Sequence, residues 1–130
     1  MIILPITLCA AAAAALLNIW LSIRIGMVRT AKKISIGDGG DMELIARMRA
    51  QANFVENTPI VLALIVVIEL ARAGNIWLMG VAAAYMLGRV AHGVGMDGGP
   101  LGFLRGVGTM ITMLAQVGLG IWAVSIALDM

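Results

Sequence analysis

The chain has 130 residues, 62% of them hydrophobic and only 12% charged, with nine Lys and Arg against seven Asp and Glu. A mean hydropathy of +1.02 with so little charge lies outside the range of soluble domains, and nothing in the charge balance suits a nucleic-acid-binding module. One cysteine, Cys9, and one histidine, His92, leave neither a disulfide framework nor a cysteine or histidine cluster for a metal.

The apolar runs recur from end to end, so residues 1–130 read as a single transmembrane domain. The first run, from Ile2 to about Ile23, meets no charge until Arg24 and matches the ~20 residues needed to cross a ~30 Å hydrocarbon core. Cys9 within it reads as a small apolar residue. As a lipoprotein cleavage site it lacks a small residue before it, where Leu8 stands, and a basic region upstream, so the segment is expected to stay as a helix. Then come Arg24, Arg29, Lys32 and Lys33, followed by SIGDGGDME, whose Gly37, Gly39 and Gly40 predict a turn and whose Asp41 predicts a helix N-cap.

The second helix is predicted to start near Met42, with its apolar part over about 54–71. Its length of roughly 43 Å exceeds what the hydrocarbon needs, so its polar first turns must project into the interface or line a protein interior. After ARAGN, a third span is expected over about 75–94 and, after GMDGGP, a fourth over about 101–128. Four helices and three short connections give an all-α, four-helix transmembrane bundle with antiparallel neighbours and both termini on one side. Basic residues crowd the first and third connections, which the positive-inside rule assigns to the cytoplasm, with both termini outside. For Lys32 and Lys33, topology and anionic headgroups are explanation enough.

The residues inside the helices need more. RAQANFVENTP opens the apolar part of helix two, and Arg49, Asn53 and Glu56 at i, i+4 and i+7 fall within about 60° of one another on a helix. Gln51 and Asn57 point to other sectors. Charge at membrane depth costs a few kcal/mol per residue, so lipid is excluded as the neighbour. What remains is an Arg–Glu clamp between helices or a ligand site. Pro59 withdraws an amide from the carbonyl of Val55, which marks either a kink or an irregularity the bundle tolerates.

Helix three ends in YMLGRVAHGVGM, with Arg89, His92 and Met96 on one face, and helix four opens with Arg105, then Thr109, among Gly102, Gly106 and Gly108. Singly, His92 reads as a structural histidine, Arg105 as a snorkelling side chain and the glycines as close-packing residues. Together, three helices present Arg, Asn, Glu and His at one membrane level, and the joint pattern favours a site. Arginines for carboxylates and Glu56 for an ammonium suit a small zwitterionic, peptide-like ligand. Spare arginine beside a thiol also favours the thiolate.

These residues resemble the MAPEG family, the membrane-associated proteins in eicosanoid and glutathione metabolism. The likeness covers nearly the whole chain: a glycine-rich GDGG connection like that of small bacterial members, RAQANFVENTP, LGRVAH and the arginine opening helix four. It implies a homotrimer in the bacterial inner membrane whose cytosol-facing sites bind glutathione, or another low-molecular-weight thiol, and pass its thiolate to lipophilic electrophiles or hydroperoxides. By resemblance, Arg29, Arg49, Gln51, Asn53, Glu56, Arg89 and His92 bind the thiol compound and Arg105 is the catalytic residue that stabilises the thiolate. No metal is implied, and the expected partners are further copies of the chain, membrane lipids and a lipophilic substrate, not nucleic acid.

The chain departs from the eicosanoid enzymes at several positions. Met96 and Asn57 stand where tyrosines occur, Ala52 where one member has an arginine, and Gly106 and Thr109 where that member has serine and tyrosine. The alternative is therefore a catalytically weak or inactive scaffold or binding module of the same fold. A transporter is disfavoured because little besides Glu69 and Arg72 brings charge to the other end of the bundle.

Overall fold

The computed structural model describes residues 1–129, in which four helices form an up-down bundle: α1 (Pro5–Lys32), α2 (Met42–Arg72), α3 (Ile76–Gly95) and α4 (Phe103–Leu128). α1 and α4 each pack against both α2 and α3, which make the shared middle. α1 runs well past the apolar stretch that announced it, because Arg24, Arg29 and Lys32 continue the helix to an αL cap at Lys33. α4 is preceded by a 3₁₀ turn, Gly99–Leu101, so the helix proper starts two residues later than the sequence suggests.

Three helices, α1, α2 and the segment ending in α4, are long and apolar enough to cross a membrane. α3, which occupies the region of the expected third span, is not among them. Its 20 residues reach about 30 Å, but Arg89 and His92 dilute its apolar character and both point into the bundle, where they are buried.

Capping follows local chemistry. Asp41 accepts from Leu44 N at 2.9 Å, and Asn75 caps α3 through Leu78 N at 3.0 Å. Lys32 at 2.7 Å and the Leu44 amide hold the Asp41 carboxyl below its ordinary range. Its contribution is thus present near neutrality and lost as pH falls through that lowered value. Gly37, Gly39 and Gly40 all carry positive φ in the first connection. α2 runs unbroken through Pro59.

α1 has no side-chain cap of its own at Leu4. The carboxylate of Glu69, 2% exposed on α2, takes that place: it accepts from Ile6 N at 3.0 Å and from Thr7 N and Oγ1 at 2.8 and 2.7 Å. An anion here also meets the positive end of the helix dipole. Glu69→Ala should cost about 1–3 kcal/mol through orphaned donors. The expected readout is faster hydrogen exchange at the Ile6 and Thr7 amides, with exchange at the α3–α4 contact unchanged.

Ala14, Phe54, Val61, Ile65, Tyr85 and Leu119 belong to the apolar core, while Leu16, Ile19, Leu114, Val117 and Ile121 face outward, as a lipid-bathed bundle requires. α3 and α4 approach most closely, through glycine. A Cβ on Gly95 would overlap the backbone nitrogen of Arg105, and one on Gly108 would lie 2.6 Å from His92 Cβ. Because backbone cannot yield as a side chain can, Gly95→Ala should destabilise by at least the ~1–3 kcal/mol of ordinary overpacking. Thermal unfolding in detergent measures it.

Candidate functional site

The polar residues of α2 part company once packed. Asn53 turns inward, and its Oδ1 accepts from Arg89 Nη2 at 2.6 Å. Gln51 faces α1, donating to Ser22 Oγ at 2.6 Å and Asn18 Oδ1 at 3.3 Å. Asn57 faces α4: it donates to Asn53 O at 2.7 Å and accepts from Gln116 Nε2 at 2.7 Å. Arg49 and Glu56 are exposed. Among the described residues neither has an ion-pair partner, and they do not pair with each other. The interhelical Arg–Glu clamp is thus not formed within the chain.

Arg89 is the inward focus. At 2% exposure it donates from Nη1 to Thr112 Oγ1 at 2.6 Å, and the Thr112 hydroxyl in turn donates to Gly108 O at 2.9 Å. Both partners of the guanidinium are neutral, and no carboxylate pairs with it among the described residues. Its Nε is left without a partner, as is Nδ1 of His92, one turn on. Buried charge with only neutral partners is costly. The arrangement is therefore receptive to an anionic group.

Around this focus runs a belt of charge. Arg24, buried near the end of the apolar part of α1, lies 4.8 Å from the Trp20 ring centroid, donates to Gly93 O at 2.8 Å and pairs with Asp97. Arg47 pairs with Asp97 at 3.2 Å and donates to Arg24 O at 3.0 Å. One carboxylate thus ties α1 and α2 to the end of α3. Arg29 donates to Gly37 O at 2.7 Å and Ile34 O at 3.3 Å and reaches Met48 Sδ at 3.6 Å, which commits it to shaping the first connection.

Arg105 is exposed in the first turn of α4, close against the end of α3 through Gly95. Its carbonyl accepts from Thr109 Oγ1 at 2.9 Å, but its guanidinium has no partner among the described residues. Arg89, His92, Asn53 and Thr112 therefore form an inner layer. Arg49, Glu56 and Arg105 are exposed charges on the outside of the chain, with no ion-pair partner among the described residues.

Sequence reasoning passed over Arg24, Arg47, Asp97, Thr112 and Gln116. Arg24 carried one signal, as the first charge after 23 uncharged residues. Thr112 carried another, seven residues after Arg105 on the same face of α4.

The MAPEG family model matches residues 7–125, nearly the whole chain. The chain belongs to the MAPEG family. No curated protein matches it as a relative. Membership and the apolar helices make it an integral membrane protein of a family that includes glutathione transferases and peroxidases along with other members.

The positions where this MAPEG chain departs from the eicosanoid enzymes now have surroundings. Met96 packs half-buried against the core and Asn57 is held in the amide pair with Gln116. Tyr85, the one tyrosine, is buried with its hydroxyl 2.8 Å from Thr58 Oγ1. No phenol is free to assist at Arg105.

Proposed function

We propose that this MAPEG protein is a membrane-embedded transferase or peroxidase that uses glutathione, or another low-molecular-weight thiol, against lipophilic electrophiles or hydroperoxides. The observation that carries this reading is the set of charges without a counter-ion among the described residues: Arg49, Glu56 and Arg105 outside, and Arg89 buried among neutral partners. Two or three cations and one carboxylate complement a zwitterionic peptide with two carboxylates and one ammonium.

In this reading Arg49 and Arg89 attract carboxylates and Glu56 the ammonium, while Asn53 and Gln51 orient the backbone of the peptide and His92 adds a polar contact. Arg29 supports the adjoining connection. Arg105 stabilises the thiolate electrostatically, with the thiol proton leaving to water. The thiolate sulfur then attacks the electrophile, forming a C–S bond as the leaving group departs with its electron pair. Exposure of Arg49, Glu56 and Arg105 on the protomer is compatible with a homotrimer in which a neighbouring copy closes the site. The positive-inside pattern supports a cytoplasmic site in a bacterial inner membrane.

Millimolar glutathione added to the purified protein should raise its melting temperature and give thiolate absorbance near neutral pH. Unchanged melting with glutathione and with other small thiols would remove the site. The lack of a free phenol beside Arg105 favours a second reading, a binding module that keeps the fold without turnover. Thiol binding with no conjugation or peroxide reduction across a broad panel would select it.

A further inference from the structure

The last turn of α3 contains Gly93 and Gly95, among the poorest helix formers, and packing requires both of them. A Cβ on Gly93 would lie 2.8 Å from Cζ3 of the Trp20 ring, and one on Gly95 would overlap the backbone nitrogen of Arg105. The segment that touches α1 on one side and α4 on the other thus has little helical preference of its own. Residues 96–102 add Gly98 and Gly99, both at positive φ, and Gly102. Local preference therefore fixes little of the path into α4.

What fixes it is charge from the other helices. Arg24 of α1 lies over the Trp20 ring that presses on Gly93, donates to Gly93 O at 2.8 Å and pairs with Asp97. Arg47 of α2 meets the other carboxylate oxygen of Asp97 at 3.2 Å and donates to Arg24 O at 3.0 Å. The series continues from Arg47 to Glu43 at 3.3 Å, on to Lys32 at 2.9 Å and to Asp41 at 2.7 Å. Signs alternate throughout, and α1, α2 and the end of α3 are joined. α4 has no ion pair in this series. Its first turn is located by the backbone contact with Gly95, and the Asp97 and Gly98 amides, bonded to Val94 O at 3.2 Å and Gly95 O at 3.1 Å, keep the carboxylate on that same turn.

We propose that Asp97 is a positioning residue: by holding the end of α3 against α1 and α2 it sets, through the Gly95–Arg105 contact, where the Arg105 guanidinium stands. This rests on the reading of Arg105 as the group that stabilises the thiolate. Stability alone accounts poorly for the arrangement, because Asp97 is exposed and exposed ion pairs contribute little. A carboxylate shared by two arginines from two helices contributes geometry.

Charge and position act with opposite signs on the bound thiol. Asp97→Asn keeps the shape and one acceptor oxygen but removes an anion from a neighbourhood that holds Arg24, Arg47, Lys32 and Glu43, with Arg89 and His92 further back on α3. Through space that loss favours the thiolate and lowers the thiol pKa. Displacement of Arg105 raises it.

The experiment follows thiolate absorbance against pH in the purified full-length protein with glutathione. Asp97→Asn should raise the pH of half-ionisation by roughly half a unit, about threefold less thiolate on the rising limb, and Asp97→Glu should restore most of it. Arg47→Lys keeps every charge but loses the fork that reaches both Asp97 and Arg24 O. It should shift the profile the same way by less, and it decides the matter if Asp97→Asn does not fold. Without glutathione, amide exchange at Gly95 and Arg105 should quicken in both variants. A half-ionisation pH that is unchanged or lowered in these variants, while Arg105→Ala raises it, overturns the proposal. An Arg105→Ala profile identical to wild type removes the thiol reading instead. Exchange then decides alone whether Asp97 sets the start of α4, and unaltered exchange at Arg105 overturns that as well.

Discussion

Arg105→Ala is expected to lower thiol-dependent turnover by about 10²–10³-fold, the usual effect of removing one group that stabilises developing or resident negative charge. The guanidinium has no side-chain or backbone acceptor among the described residues and stands exposed at the start of α4. The unliganded protein should therefore melt within about 0.5 kcal/mol of wild type. What changes is the thiol. Without the cation its pKa should return toward the free value near ~8.5, so the rate should climb with pH through that range, whereas the proposed wild-type site should hold it ionised at neutrality. Arg105→Lys keeps the charge but not the forked donors and should fall between the two. A variant that binds glutathione, shows normal thiolate absorbance at pH 7 and turns over normally would take Arg105 out of the mechanism.

The fold was legible wherever the chain carries its own instructions. The glycine turn and Asp41 marked the start of α2 because both act within four residues of sequence. Arg24 and Glu69 were not legible in the same way. Each serves an element far along the chain: Arg24 the end of α3, 69 residues away at Gly93, and Glu69 the start of α1, more than 60 residues back. Spacing on one helix reports which residues share a face, not which helix comes to meet that face. The same limit explains the site. Arg49, Asn53 and Glu56 do share a stripe, but the close glycine contact of α3 and α4 brings Arg89 and Thr112 to Asn53 alone. Helix geometry predicts the stripe, and packing decides which of its members are enclosed.

Arg89→Met separates stability from function most sharply. A buried clamp and a buried binding group look alike in a static structure, since both are arginines held by hydrogen bonds. They differ in what the folded chain gains from the charge. Arg89 has two neutral partners and an unsatisfied Nε, with no carboxylate to offset its desolvation. Replacing buried ionic groups with apolar residues of similar volume is often neutral or stabilising by about 1–4 kcal/mol. Thr112 keeps its bond to Gly108 O after the change, which limits the loss to one acceptor on half-buried Asn53. The unliganded variant should therefore melt at or above the wild-type temperature, while the thermal shift caused by glutathione disappears. A fall of several degrees without ligand would identify Arg89 as a clamp. Retained melting with a retained glutathione shift would show that the thiol compound is held by the outer charges alone. The expected pair of results, stability kept and binding lost, follows only if the charge is stored in the fold for an anion the chain does not itself supply.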